Sequence, residues 1–224
     1  MQLRWRGRPS LTITAVVASV LAPLGLFGAV AEDVHEQEAL WFDRTLQLFV
    51  HARASPFLDT LMYGATTAGS ALLLVQFNCL VFGWLWRQRR RLDAIFWIVA
   101  VAGAAIINFG TKQFFAQVRP DLWASRVHET TYSFPSGQAM STMAAVAAVC
   151  ALACASRWRY PAAVIGAAYV LAVGASRVYF GVHYPSDVLA GRAASLAWVI
   201  GTRLLFDRHA QRLSVTAAQM ETRR

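Results

Sequence analysis

"AIFWIVAVAGAAIINFGT", residues 94–111, runs for eighteen residues without a charge and is followed at once by Lys112. A helix needs about 20 mostly apolar residues to cross hydrocarbon, so this stretch reads as a membrane span with a cation at its end. Similar apolar runs lie near residues 11–31, 60–86, 137–155, 161–175 and 187–206, that at 161–175 continuing through Gly174 toward Tyr179. Hydrophobic residues make up 57% of the 224, against 15% charged, which is too apolar for an ordinary soluble domain. The expectation is an all-α integral membrane bundle of six transmembrane helices, forming one domain over residues 1–224, with no linker, low-complexity tract or repeat.

The net charge of +9 raises nucleic acid as a partner, but the charges are segregated by loop. Arg4, Arg6 and Arg8 precede the first run, Arg87 and Arg89–Arg91 follow the second, Arg157 and Arg159 follow the fourth, and Arg203, Arg208 and Arg212 close the last. Acids such as Glu32, Asp43, Asp59, Asp121, Glu129 and Asp187 hold the opposite ends. The positive-inside rule turns this pattern into topology: both termini cytoplasmic in a cell (inner) membrane, with the acidic loops outside. Nucleic acid is therefore not expected. Ala29-Val30-Ala31 matches a signal-peptide cleavage pattern, yet the apolar stretch before it is longer than such peptides need, so a retained first span is expected.

Cys79, Cys150 and Cys154 fall inside spans without neighbouring His or carboxylate, so they read as packing residues, and no metal or cofactor is expected. Gly64, Ala68 and Gly69, then Ala144, Ala148 and Ala151, then Ala163 and Ala167, recur at helical spacing and would let helices approach closely in lipid. Residues 36–54 place Ala39, Phe42, Leu46, Phe49 and Val50 on one helical face and Glu36, Glu38, Asp43 and Arg44 mostly elsewhere, as in a helix lying on the outer surface.

The chemistry concentrates at the outer ends. Lys112 closes the third span, Arg119-Pro120 follows it, Pro135-Ser136-Gly137 opens the fourth, and Arg177, His183 and Asp187 bracket the turn between the fifth and sixth. A charge near hydrocarbon is costly and usually faces a polar site. Three cations at one end of a bundle therefore imply an anion, and a phosphate suits both the planar fork of Arg and the mobile charge of Lys. Pro135 suits the first position of a helix, which would aim the N–H groups of Ser136 and Gly137 at that anion, and Gly137 permits close approach. Asp187 in the next helix start would hold one imidazole nitrogen of His183 and leave the other as a nucleophile.

In order and spacing, residues 112–187 resemble the three-part signature of the type 2 phosphatidic acid phosphatase superfamily. The resemblance implies a metal-independent phosphatase acting on lipid phosphates or diphosphates. Lys112, Arg119 and Arg177 would hold phosphate, with Ser136 and Gly137, and His183 would become phosphorylated with Asp187 orienting it. One position departs: Gln138 stands where the family has a His that protonates the leaving oxygen. An amide can donate a hydrogen bond but cannot release a proton at neutral pH, and losing general-acid help typically slows a step about 10²- to 10⁴-fold. An alkoxide leaving a monoester needs that acid. A polyprenyl phosphate leaving a diphosphate needs it far less, because its second pKa is about 6 by analogy with other phosphate monoesters.

Four readings of Gln138 stay open: a designed replacement of His, a natural specialisation for diphosphates, a catalytically silent protein that holds a lipid phosphate for a partner, or proton supply from His128 in the preceding loop. Phosphatidylglycerophosphate, undecaprenyl diphosphate and lipid A phosphates all remain candidate substrates. The sequence assigns no protein partner and no oligomeric state.

Overall fold

The computed structural model describes residues 9–36 and 40–221. Eight helices follow one another: α1 (Pro9–His35), α2 (Trp41–His51), α3 (Pro56–Ala68), α4 (Ala71–Arg87), α5 (Arg91–Phe115), α6 (Gly137–Ala153), α7 (Arg159–Tyr179) and α8 (Pro185–Glu221), with no strand among the described residues. Arg4, Arg6, Arg8, Glu38 and Ala39 lie outside the described residues.

Among the described residues, four helices are long and apolar enough to cross a membrane: Val17–His35 within α1, α5, α7 and residues Pro185–Ala210 of α8. The 60–86 run, read as one span, is two helices, α3 and α4, bent by 46° at Gly69-Ser70, and counting the bent pair as one span brings the number to five. The bend has two local causes. Ser70 recaps the chain, its hydroxyl accepting from the N–H of Leu73 at 3.5 Å. Gly69 lies so close to α7 that a Cβ there would sit 2.5 Å from Val173 Cγ1, an approach only glycine allows. The fourth run, α6, is an apolar helix of 17 residues, shorter than the other spans.

α6 occupies the middle of the bundle, packed against α5, α7 and α8, while α1 runs along α8 and α3 along α7. Its Ala144, Ala145 and Ala148 are buried against Phe96, Trp97, Ala100 and Ala104 of α5, Leu85 of α4 and Val199 of α8. Large rings of α5 thus fill the space that the alanines of α6 leave. Elsewhere the small-residue pattern was only partly informative. Ala68, Ala163 and Ala167 are exposed, and nothing lies within 4 Å of a Cβ at Gly64. The close approaches of α7 instead use Gly166, which faces Val146, and Gly174, which faces Arg192 and Val188. The three cysteines are free, with Cys79 exposed on α4.

The surface helix expected over 36–54 is α2, Trp41–His51, and most of its apolar side chains face away from the bundle, Val50 excepted, which packs against Tyr179, Phe180 and Val182. Asp43 and Gln47 are buried, at 4% and 0% exposure, whereas Trp41 is 84% exposed and Leu46, Leu48 and Phe49 also face outward. Periodicity defines a polar and an apolar face but not which faces the protein. In lipid surroundings the apolar face has no reason to seek the bundle, and the polar face finds hydrogen-bond partners there.

Candidate active site

Helix ends and two connections assemble the site. Lys112 is in the last turn of α5, Arg119, Glu129 and Ser133 are on the long connection 116–136, Gln138 is in the first turn of α6, Arg177 is in the last turn of α7, and Asp187 is in the first turn of α8. His183 stands in the tight turn between α7 and α8, where Gly181 takes φ +66 against the ring of Trp123.

His183 is buried at 2% exposure. Its Nδ1 lies 3.3 Å from Asp187 Oδ2, and the same carboxylate oxygen accepts from the Ser133 hydroxyl and, at 3.0 Å, from the Tyr184 N–H. Nε2 lies 3.1 Å from Arg119 Nη1. Burial first, then the charges of Arg119, Arg177 and Lys112, hold the imidazole well below its ordinary pKa. It is therefore neutral near pH 7, with Nδ1–H toward the carboxylate and the Nε2 lone pair toward Arg119, the protonation state a nitrogen nucleophile requires.

The three cations meet around this ring. Arg119 donates from Nη1 to Val182 O at 2.6 Å and from Nε to Thr131 O at 2.7 Å. Lys112 donates to the carbonyls of Tyr132 and, at 3.3 Å, Ser133, and Arg119 Nη2 reaches the same Tyr132 carbonyl at 3.3 Å. Arg177, fully buried, pairs with Glu129 and donates from Nη1 to Thr66 Oγ1 at 2.5 Å, while Glu129 Oε2 lies 3.6 Å from Arg119. Lys112, Arg119, Arg177 and His183 thus belong to one connected cluster rather than scattered positions. Its three cations exceed its two carboxylates, Glu129 and Asp187, and an anion would offset the remaining charge.

The second motif differs in detail from its sequence reading. Pro135 is not the first helical residue: α6 begins at Gly137 with Ser136 as its N-cap, and the Ser136 N–H is bonded to Asp187 O at 3.2 Å. The reason is tertiary, since the Pro-Ser segment is drawn onto the start of α8. Only the N–H groups from Gly137 onward remain as first-turn donors. The Ser136 hydroxyl makes no cap; it is buried without a partner among the described residues, as is Arg177 Nε. Gly137 lies beside Lys112, where a Cβ would sit 3.9 Å from Cε and 3.2 Å from Asn108 Oδ1. His128 is exposed on the connection, and no hydrogen bond or ion pair joins it to the cluster among the described residues.

Five contributors were not expected at the site: Ser133, Thr66 and Gln47, which carried no signal, and Asp43 and Glu129, which marked only the outer end of the bundle. Gln47 Nε2 donates to His183 O at 3.1 Å, and Asp43 accepts from the N–H and hydroxyl of Ser186 at 2.9 and 2.6 Å. α2 therefore grips the turn that carries His183, and its carboxylate sits at the positive N-terminus of α8. Asp43→Ala is expected to cost about 1.5–3 kcal/mol, as for a lost hydrogen bond to a charged group. The measurement is a drop in melting temperature in detergent, with kcat falling more than KM rises.

An all-helical multi-pass membrane bundle, holding an imidazole oriented by a carboxylate among three cations at one end, defines the class of this protein. The chain belongs to the PAP2 superfamily, whose pattern matches residues 93–211. Phosphatidylglycerophosphatase B of Bacillus subtilis (strain 168) is 31% identical over 147 residues, 63% of this chain and 71% of that protein. An undecaprenyl-diphosphatase of Sulfolobus acidocaldarius is 30% identical over 53% of this chain and 55% of its own length. The crystal structure of a transmembrane PAP2-type phosphatidylglycerolphosphate phosphatase from Bacillus subtilis superposes with a TM-score of 0.75 at 23% identity, covering 87% of this chain and 97% of that one, and so shares the fold.

Proposed function

We propose that this protein hydrolyses a lipid phosphate or polyprenyl diphosphate at the outer face of the membrane, through a phosphohistidine at His183. The observation that carries this reading is the two-sided hold on His183, Asp187 at Nδ1 and Arg119 at Nε2. Nε2 attacks phosphorus and the leaving oxygen departs with the bonding electron pair. Water then attacks the phosphohistidine, and inorganic phosphate leaves. Lys112, Arg119 and Arg177 spread the charge of the transition state, with the buried Ser136 hydroxyl and the Gly137 N–H as further donors. These positively charged groups supply the charge stabilisation, so no step is assigned to a metal.

A lipid substrate is favoured by an apolar groove of about 530 Å³ between α4, α6 and α7, lined by Leu73, Phe77, Val146, Val149, Ile165 and Tyr169. Its lining runs from Trp158 and Pro161 to Ala68, whose carbonyl accepts from the Tyr169 hydroxyl at 2.9 Å and whose neighbour Gly69 lies beside Gln138. The outer face is favoured by direction. α5 starts at Arg91 and ends beside Lys112, so the cluster lies at the end opposite the arginine-rich turns Arg87–Arg91 and Arg157–Arg159. In this reading the buried α6 also crosses, which brings the spans to six, and both termini are cytoplasmic.

The test is phosphate release in proteoliposomes from a polyprenyl diphosphate, phosphatidylglycerophosphate, phosphatidic acid and a lipid A phosphate, with His183→Ala as the blank. Turnover of at least one lipid above the blank is expected, with a phosphoprotein that is acid-labile and base-stable. The acid limb of kcat/KM should lie below about pH 6.5, the ordinary imidazole value, because the depressed pKa keeps His183 unprotonated as the pH falls. Release no faster than the blank for every lipid would leave the silent phosphate-binding reading in its place.

A further inference from the structure

Gln138 is held in a way that the mechanism above does not require. Thr66 Oγ1 accepts from Arg177 Nη1 at 2.5 Å and lies 3.3 Å from Gln138 Oε1. A guanidinium only donates, so the hydroxyl must accept on that side, and its single proton is free for the amide oxygen. Gly69, at the bend between α3 and α4, closes the other flank: a Cβ there would sit 3.0 Å from the same Oε1. With the oxygen fixed by α3, the NH₂ group must point away from it. Gln138 is half-buried, and its Nε2 has no partner among the described residues.

We infer that Thr66 is a positioning residue that turns the Gln138 amide so that its NH₂ donates to the bridging oxygen of a lipid diphosphate. This rests on the proposed phosphatase reading and narrows its substrate class. The balance of the step supports a diphosphate. Nε2 of His183 bonds to the terminal phosphorus, the P–O bond to the bridging oxygen breaks, and its electron pair stays on that oxygen as part of a lipid monophosphate. No protein proton is consumed, so a donor that cannot ionise suffices. The position thus retains a donor function suited to an anionic leaving group, in place of an acid suited to an alkoxide.

A double-mutant cycle of Thr66→Val and Gln138→Leu tests the link. It is read in kcat, and also in the affinity of the His183→Ala background for a prenyl diphosphate and the matching prenyl monophosphate. Each single change should lower kcat on the diphosphate about 10-fold and weaken diphosphate binding several-fold, with little effect on monophosphate binding. The pair should do no worse than Gln138→Leu alone, and Thr66→Ser should restore the original values. Thr66→Val costing as much in the Gln138→Leu background would mean that Thr66 acts through Arg177, and would overturn the inference. So would equal losses for both ligands, or no binding of either. If turnover is absent but the binding cycle behaves as described, the phosphatase reading fails while the placement of the amide stands.

Discussion

His183→Ala is expected to lower turnover of any lipid substrate by at least about 10⁴-fold, with phosphate-lipid affinity kept within about 10-fold. In the proposed mechanism the buried, uncharged imidazole is the nucleophile, and its Nε2 lies 3.1 Å from the arginine that would also hold phosphate. Alanine removes the nucleophile but leaves Lys112, Arg119 and Arg177 on their carbonyl and carboxylate partners. Binding should persist where chemistry stops. Isothermal calorimetry or tryptophan quenching with a non-hydrolysed lipid analogue separates the two, because a misfolded variant would lose both. Asp187→Asn should fall between the variant and the parent, since an amide can still occupy the site beside Nδ1 but cannot stabilise a charged ring.

Gln138→His is expected to raise turnover of phosphatidic acid by about 10²- to 10⁴-fold while changing that of a polyprenyl diphosphate far less. The difference follows from what leaves. A lipid alkoxide is a poor leaving group without a proton, whereas a lipid monophosphate already carries its charge comfortably. The neighbour at the α3–α4 bend is Gly69, which presents no side chain to position 138. Rates measured on both substrates, for both residues at 138, give a ratio of ratios. Equal gains on the two lipids would remove the leaving-group explanation and with it the case for a diphosphate.

The spans, the cationic cluster and the family were legible in the sequence because each depends on local order. Residues 94–111 declare a helix by length and polarity alone, and α7 reaches Tyr179 as its pattern implied. Lys112, Arg119, Arg177, His183 and Asp187 are spaced by helix ends, so once the helices are antiparallel neighbours the residues must share one end of the bundle. Gln138 stood out because the residues before it matched a known pattern. The broken span was only partly legible: the 60–86 run has no proline, its Gly69-Ser70 pair marks a possible break, and the close approach of α7 at Gly69 is tertiary.

What the sequence determined by itself is the apolar character of the segments, the end at which the charges gather, and the chemical types that gather there. Tertiary structure alone decided which groups hold them in place. Ser133 reaches Asp187 across 54 residues, Thr66 reaches Gln138 across 72 and Arg177 across 111, and Asp43 reaches Ser186 across 143. Such pairs are set by how helices pack and by which face of α2 turns inward. A hydrophobic pattern fixes the period of a helix, but the direction in which its polar face points depends on whether water, lipid or another polar group waits on the other side.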